Sequence, residues 1–345
     1  MSGEGKALLG IVVIGRNEGH GVRAALTSAM RDSALAVYVD SGSTDNSATN
    51  AAEMGINVVV LDGTQMHTAA RGRNAGFDWL QGQAPKLEYV QFLDGDCELL
   101  PGWTEYALGY LRDHPDVGVV AGRLRERERG RNIYHRLADM EWNVPPGASQ
   151  PIGGIMMVRA SAWMEVGGMN GAIVAGEELD LCLRLNAAGW RVMRQARDMA
   201  LHDIGMDRFL QWWSRAERCG HAYAEGAWRR RNKLRPGDLR QLASVLVWGA
   251  GVPGVVLLTA PRALGLSLVA WSSYAWLATR VYRHRLERGE SRSDAALYAT
   301  SCVLAKFAQL SGAARFAWTL VLNAAGRHRS QRKRGPFERQ GGVRT

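Results

Sequence analysis

An α/β fold built on a doubly wound, mostly parallel sheet, followed by a membrane-associated helical region, is what this 345-residue sequence predicts. Three observations carry that expectation. Apolar strand-like runs alternate with helix-like segments through the first part of the chain, the pattern of a sheet covered by helices on both faces. Two acidic turns, Val39-Asp40-Ser41-Gly42-Ser43-Thr44-Asp45 and Phe92-Leu93-Asp94-Gly95-Asp96, each directly follow such a run, and ligands of an open α/β sheet sit at those carboxyl ends. Beyond residue 225 the chain becomes apolar and basic, with two long stretches free of charge.

In chain order, the strand candidates are Ala7 to Ile14, Leu35 to Val39, Ile56 to Leu61, Leu87 to Leu93 and Val117 to Ala121, rich in Val, Leu and Ile and bounded by Gly, Asp or Pro. The start, Met1 to Lys6, precedes an apolar run too short for a span and without a cleavage site, so that run reads as the first strand. Gly21 to Arg31 reads as the first helix. Ser43 to Met54 reads as the second, with Asp and Ser at its start as N-caps. A further helix opens at Glu177-Glu178 and ends at Gly189, and Arg191 to Ala200 is strand-like.

The first-loop glycines, Gly10, Gly15, Gly19 and Gly21, do not have the G-x-G-x-x-G spacing of a dinucleotide site, and no Walker-type loop occurs. Dehydrogenase and P-loop functions are therefore disfavoured. The four cysteines, Cys97, Cys182, Cys219 and Cys302, are far apart and form no C-x-x-C pair, which suggests neither a zinc site nor a disulfide framework. The net charge of +10 is concentrated toward the C-terminal half, in Arg229-Arg230-Arg231, Arg280 to Arg292 and Arg327 to Arg334, an asymmetry that asks for an acidic partner. No nucleic-acid-binding fold or aromatic RNA platform accompanies these arginines, so an anionic membrane surface is expected and nucleic acid is not. An Asp-x-Asp at a strand end suits a divalent ion carrying a diphosphate, because Mg²⁺ takes one or two carboxylates and completes its shell with substrate phosphates.

From about Leu9 to His221 the chain resembles the family 2 glycosyltransferases. The resemblance rests on Ile14-Gly15-Arg16-Asn17-Glu18, the turn at Asp40, Gly72-Arg73-Asn74-Ala75-Gly76, Asp94-Gly95-Asp96, and Gly176-Glu177-Glu178-Leu179-Asp180-Leu181 running to Gly189-Trp190, in that order. It implies a GT-A fold, a Rossmann-like mixed sheet with helices on both faces, over residues 1–225. It also implies an inverting transfer of a sugar from a nucleotide-diphosphate donor to a lipid-linked or saccharide acceptor in surface polysaccharide or exopolysaccharide synthesis. That reaction needs a carboxylate to accept the acceptor hydroxyl's proton and Mg²⁺ or Mn²⁺ to neutralise the departing diphosphate.

By the same resemblance, Asp96 holds the metal, with Asp94 acting through water or the ribose, and His202 matches a position near the metal or diphosphate. Glu178 is the general base, with Glu177 beside it; the family's usual Glu-Asp appears here as Glu-Glu, one methylene longer at the second position. Nucleotide-sugar contacts fall to Arg16, Glu18, Asp40, Ser41, Arg73, Asn74 and Asp94, with Ser41 standing where many relatives carry a second Asp. Gly153-Gly154 lies on the acceptor side. Plainer roles suit several of these residues: Asp45 as a turn former or cap, Glu177 and Glu178 as acids at a helix N-terminus, Arg73 as a carboxylate's partner, Gly153-Gly154 as a β-bulge, and His202 as structural. Asp180 and Arg184, four apart, read as a surface ion pair.

Residues 226–345 form the expected membrane-associated region. Arg208 to His221, aromatic and basic, suits a helix at a membrane surface, an acceptor-binding lid, or a helix packed on the core. Gln241 to Pro261 and Ala263 to Thr279 are free of charge, against the roughly 17–25 residues that a span needs, so spans are expected at 241–261 and 263–282. Trp271, Tyr274, Trp276 and Tyr282 suit an interface, and the basic segment after them suits the cytoplasmic side. An interfacial helix at 295–323 and a basic tail follow. With the resemblance, these features lead to the expectation of a protein at the cell inner membrane with its catalytic domain in the cytoplasm. The alternatives are a helical soluble core, which the low mean hydropathy permits, a non-catalytic membrane scaffold that binds sugar nucleotide, and a nucleotidyltransferase.

Overall fold

Strand β1 (Leu9–Gly15) is buried at every position, as a β-branched run between two neighbouring strands and two helical layers requires. The structure, a computed structural model, describes residues 8–149, 152–173, 176–232, 235–260 and 263–333, the last eleven in backbone only. The expected basic tail beyond Lys333 and the chain start before Leu8 lie outside the described residues, as do Pro151 and Pro261. The chain divides into two compact units, Met1–Gly205 and Met206–Thr345, so the boundary expected at residue 225 falls inside a helix of the second unit.

In the first unit, β1 is followed by α1 (Val22–Asp32), β2 (Leu35–Asp40), α2 (Ser47–Glu53), β3 (Asn57–Val60), α3 (Ala69–Gln83), β4 (Tyr89–Asp94) and β5 (Cys97–Leu99). Then come α4 (Trp103–Asp113), β6 (Val117–Glu126), α5 (Ile133–Trp142), β7 (Gly147–Ala148), β8 (Met156–Arg159), α6 (Ala160–Glu165), α7 (Glu177–Ala187) and β9 (Arg191–His202). The strands form one sheet in the order β3-β2-β1-β4-β8-β6-β9-β5, with β7 paired to β9. Strands β1 to β4 are mutually parallel where they pair, whereas β8 runs antiparallel to both β4 and β6, and β5 and β7 run antiparallel to β9. The sheet is therefore mixed. The expectation of a mostly parallel sheet fails at β5, β7 and β8, which span two to four residues each and are too short to show a period in sequence.

The register fixes where the site lies. Ile14 pairs with Asp94 and with Val39, and Gly15 pairs with Asp40, so β1, β2 and β4 end together. Since β1 has β2 on one side and β4 on the other, this is the point where the strand order reverses and an open crevice forms. Helix α3 packs tightly here because Gly72 and Gly76 lack side chains: a Cβ at Gly76 would lie 2.3 Å from Val12 and one at Gly72 3.3 Å from Ile14. The helix expected from Ser43 begins at Ser47, because Ser43 and Asp45 are taken up by loop contacts described below.

The second unit is helical: α8 (Phe209–Arg229), α9 (Pro236–Leu246), a π-helical turn (Val247–Gly251), α10 (Val252–Thr259), α11 (Leu264–Glu287) and α12 (Arg292–Lys333). Helices α8 and α12 meet backbone to backbone. A Cβ at Gly220 would lie 1.9 Å from the carbonyl oxygen of Gln309, and one at Gly312 1.9 Å from that of Glu217. The Glu217 carboxylate then accepts from Ser311 Oγ at 2.7 Å and faces Arg315 at 3.6 Å. Trp212, Ala216 and Gly220 of the aromatic helix α8 are buried, and α8 packs on α12 within this unit. The segment expected as an interfacial helix, 295–323, belongs to α12, which packs on α8 and α11. Pro236–Thr259, continuous through the π-helical turn, is the one helix among the described residues long and apolar enough to cross a membrane by length and composition, and only 11% of its apolar window is buried.

Candidate functional site

The carboxyl ends of β1, β2 and β4 open into a cleft of about 380 Å³ whose walls include Arg16, Glu18, Ser41, Arg73, Asp94, Asp96, Glu177 and Glu178. Eight of the expected site residues therefore meet in one place, drawn from five segments of the chain.

Arg73, on the first turns of α3, organises the inner wall. Its side chain is 3% exposed, its Nη2 donates to Asp94 Oδ1 at 2.7 Å, and its Nη1 lies 3.7 Å from Glu177 Oε1. Nε and Nη1 have no hydrogen-bond partner, so a buried cation presents unused donors beside the cleft, a costly arrangement unless something else satisfies them. Gly154 makes room for this arginine: a Cβ there would lie 1.8 Å from Nη2. Gly154, expected on the acceptor side, thus acts through Arg73, while a Cβ at Gly153 would meet nothing within 4 Å.

Helix α7 starts at Gly176, whose φ of 88° is a left-handed conformation suited to glycine. Its first turn carries Glu177, which is buried, and Glu178, which is half-buried. Burial raises the pKa of both carboxyls; their mutual repulsion adds to the rise at Glu177, and Arg73 opposes it at both. Asp180 and Arg184 form the expected ion pair at 2.9 Å on the same helix.

Glu18 reaches the cleft from the β1–α1 loop. Its side chain lies across two glycines, since a Cβ at Gly15 or Gly95 would come within 2.8 or 2.9 Å of its Cγ. Burial first, and then the charge of Asp96, push its pKa up to about 7. The loop is held by its neighbour after β2: Asn17 N and Glu18 N donate to Ser43 Oγ and Ser47 Oγ at 2.9 Å, Gly19 N donates to Asp45 Oδ2 at 2.9 Å, and Thr44 N donates to Asn17 Oδ1 at 2.8 Å. Asn17 adopts φ 60° in this stitch, a conformation Asn tolerates better than most residues. Asp45 also accepts from Ser47 N and Oγ, which is the turn-forming role.

Asp96 and His202 are 106 residues apart, yet the antiparallel pairing of β5 with β9 sets Cys97 opposite His202. His202 Nε2 lies 2.8 Å from Asp96 Oδ2, its ring packs against Trp142 with centroids 4.3 Å apart, and its buried Nδ1 has no partner. Burial presses the His202 pKa down, but the hydrogen bond and charge of Asp96 outweigh it and hold it above the ordinary value; the same contact holds Asp96 below its own despite burial. Asp96, Cys97 and His202 offer donor atoms within 4.8 Å of one another. Burial raises the Cys97 thiol well above its usual range, so it stays protonated and donates to Asp96 at 3.2 Å. Carboxylate and imidazole are thus the donors that fit a divalent ion.

Two expected residues turn away. Asp40 accepts from Gly42 N at 3.1 Å, Ser43 N at 2.9 Å and the Ser43 hydroxyl, so its buried carboxylate is spent on its own turn. Asn74 exchanges two hydrogen bonds with the Met169 backbone, at 2.8 and 3.0 Å, and ties α3 to the segment before α7. His67 was missed. It lines the cleft and comes within 2.5 Å of where a Cβ on Gly42 would be, and its place in a loop without a motif gave no signal.

Residues 10–160 match the family described as Glycosyl transferase family 2. In two strains of Mycobacterium tuberculosis, a protein named pre-mycofactocin glycosyltransferase is 26% identical over 327 residues, covering 91% of this chain and 66% of the relative. The chain thus spans just under two thirds of the length of these curated relatives. Among solved structures, the mannosyltransferase PcManGT from Pyrobaculum calidifontis, in complex with GDP-Man and Mn²⁺, superposes with a TM-score of 0.54 at 16% identity, covering 92% of this chain and 88% of that one. At that identity the likeness is one of fold.

Proposed function

We propose that the protein is a family 2 glycosyltransferase that transfers a sugar from a nucleotide-diphosphate donor to a lipid-linked or saccharide acceptor, with inversion at the anomeric carbon; the family match over residues 10–160 and the likeness of fold to PcManGT support the reading. The observation that carries this reading is the convergence of Asp94, Asp96, Arg73, Glu18, Glu177 and Glu178 on one cleft at the end of β1 and β4. Surface polysaccharide synthesis at the inner membrane, with the first unit in the cytoplasm, is the setting that a lipid-linked acceptor and the apolar Pro236–Thr259 helix suit best.

Asp96 and His202 are the residues to hold Mg²⁺ or Mn²⁺: the carboxylate is partly open to the cleft, and the imidazole is fixed beside it. When bound, such an ion offsets the charge that develops on the departing diphosphate. Arg73 supplies fixed positive charge on the inner wall, and its Nε and Nη1, which make no hydrogen bond, suit an oxygen of the donor. Glu178 is the base. Its raised pKa brings it toward neutrality, where proton acceptance is most effective. The acceptor oxygen attacks the anomeric carbon, its proton passes to Glu178, and the bond to the diphosphate oxygen breaks with its electron pair leaving on the nucleoside diphosphate. Glu177, nearer Arg73, holds that guanidinium in place.

The test is nucleoside diphosphate release from UDP-, GDP- and dTDP-sugars by detergent-solubilised protein, with Mg²⁺, with Mn²⁺ and with EDTA. Release from one donor that EDTA abolishes is expected. Glu178→Gln should lower turnover by about 10²- to 10⁴-fold, the range of a lost general base, with nucleotide affinity retained; Asp96→Asn should remove the metal response. Wild-type turnover by both variants would exclude this assignment of the cleft. Nucleotide binding without release, with and without a lipid extract, would favour the non-catalytic scaffold.

A further inference from the structure

Within the second unit, residues of α9, α11 and α12 line an open cavity of about 850 Å³ that the reaction does not use. Five cations line it, Arg280, Arg283 and Arg285 from α11, Arg288 just after it and Lys306 from α12, against the single carboxylate of Glu287. Two of the five already have partners: Arg285 is buried, stacks on Tyr298 at 3.6 Å and pairs with Glu290 at 3.3 Å, and Arg288 is engaged as well. Arg280 lies over the Trp276 ring at 5.6 Å. Neither Arg280 nor Arg283 has a carboxylate within ion-pair distance among the described residues, and half-buried Lys306 contacts only an amide oxygen, Gln309 Oε1, at 3.4 Å. A pocket in which the exposed Arg280 and Arg283 and the half-buried Lys306 have no carboxylate partner is a site for an anion with several oxygens.

The same helix says which anion. Upstream of Arg280, α11 leaves Leu264, Leu266, Leu268, Val269 and Trp271 each more than half exposed, with no charged residue before Arg280. The switch from bare apolar surface to cations occurs at Trp276, the residue type that settles at the boundary between hydrocarbon and headgroups. A soluble phosphate compound has no use for that apolar surface, whereas a lipid has.

We propose that this cavity binds the phosphate headgroup of an anionic membrane lipid, with the acyl or prenyl chains lying along the exposed Leu264–Trp271 surface. The site rests on the membrane association inferred above and adds to it a specific headgroup chemistry. Arg280, Arg283 and Lys306 contact the phosphate oxygens, Arg285 braces the wall through Tyr298 and Glu290, and Trp276 marks the level of the interface.

The experiment measures binding of full-length protein to phosphatidylcholine vesicles with and without phosphatidylglycerol. Wild type, the double variant Arg280→Gln/Arg283→Gln, and the charge-matched control Arg231→Gln/Arg240→Gln, whose exposed arginines lie outside the cavity, are compared, each checked for wild-type helicity. Wild type and control should prefer anionic vesicles by about tenfold or more, and the cavity variant should lose most of that preference, as the attraction of surface lipids for individual basic residues implies. Equal loss in both double variants would overturn the site in favour of diffuse charge. Binding to neutral vesicles with no anionic preference would overturn it while leaving membrane association standing, and binding to no vesicle would overturn both. If inorganic pyrophosphate shifts tryptophan fluorescence in wild type but not in the cavity variant, and anionic lipid gives no preference, the ligand is a soluble phosphate and the lipid assignment fails.

Discussion

Glu18 gives the site a pH dependence of its own. Its carboxyl titrates near 7 in the folded chain against an ordinary 4.5, because burial and Asp96 disfavour its charge. Below 4.5 it is neutral in both folded and unfolded chains and has no effect. Between 4.5 and 7 the unfolded chain gives up the proton more readily, so stability falls as pH rises and stays lowered above 7. Glu18→Gln keeps an acceptor oxygen for Arg16 N, which bonds Glu18 Oε1 at 3.2 Å, and removes the charge. It should raise the melting temperature at about pH 8 and leave it nearly unchanged at about pH 5, read by calorimetry; a lower melting temperature at the higher pH would mean that the charge is stabilised instead. On the proposed assignment of His202 as a ligand, it bears on metal choice, since an imidazole donor suits Mn²⁺ better than Mg²⁺. Mn²⁺ should therefore sustain turnover at lower concentration than Mg²⁺, and His202→Ala should narrow the gap; an unchanged ratio would remove His202 from the metal site. At this scale the sequence identified most of the cleft, because Asp94, Asp96, Arg73, Glu177, Glu178 and Glu18 sit in compact motifs at strand and helix ends. Asp40 and Asn74 bond to nearby backbone instead of facing the cleft, an outcome that rotamer and loop geometry decide and sequence does not show.

Among the elements, β1, β2, β3, β4 and β6 were legible from apolar runs rich in Val, Leu and Ile, β9 as the strand-like stretch after Gly189, and α7 from its flanking signals. The antiparallel insert β8 and the short β5 and β7 were not, and β5 is the strand that brings Asp96 beside His202. The glycines tell a similar story. Gly72 and Gly76 read as motif letters in the sequence, and only the packing of α3 on β1 explains them. In the second unit, Gly220 and Gly312 let α8 and α12 touch main chain to main chain, the kind of contact that small residues permit between helices. Gly312→Ala should cost about 1–3 kcal/mol or more as the helices are forced apart. Gly109→Ala, in the middle of α4 where a Cβ would meet nothing within 4 Å, should stabilise by about 0.4–1 kcal/mol. Urea unfolding of the two variants checks this, and like signs would refute the close contact.

For the molecule as a whole, the uneven distribution of charge and apolarity is the property that composition already displayed. The apolar surface concentrates on Pro236–Thr259 and the first half of α11, where Leu257, Leu258, Leu264 and Val269 are more than half exposed, a patch of the kind that marks a membrane or partner contact. The full chain should sediment with membranes, resist carbonate extraction and be released by detergent; recovery in the carbonate supernatant would exclude a span. Sequence patterning showed where this surface lies but not that α12 folds back on α8, because the contacts between glycines carry no hydrophobic period. The stitch between the Asn17 and Asp45 loops has a consequence for descent and for protein engineering alike. Hydrogen bonds join Asn17, Glu18, Gly19 and Thr44 to partners across the stitch, so a recombinant that inherits one loop from a relative and keeps the other would set foreign partners against each other. The two segments can be exchanged only as a pair.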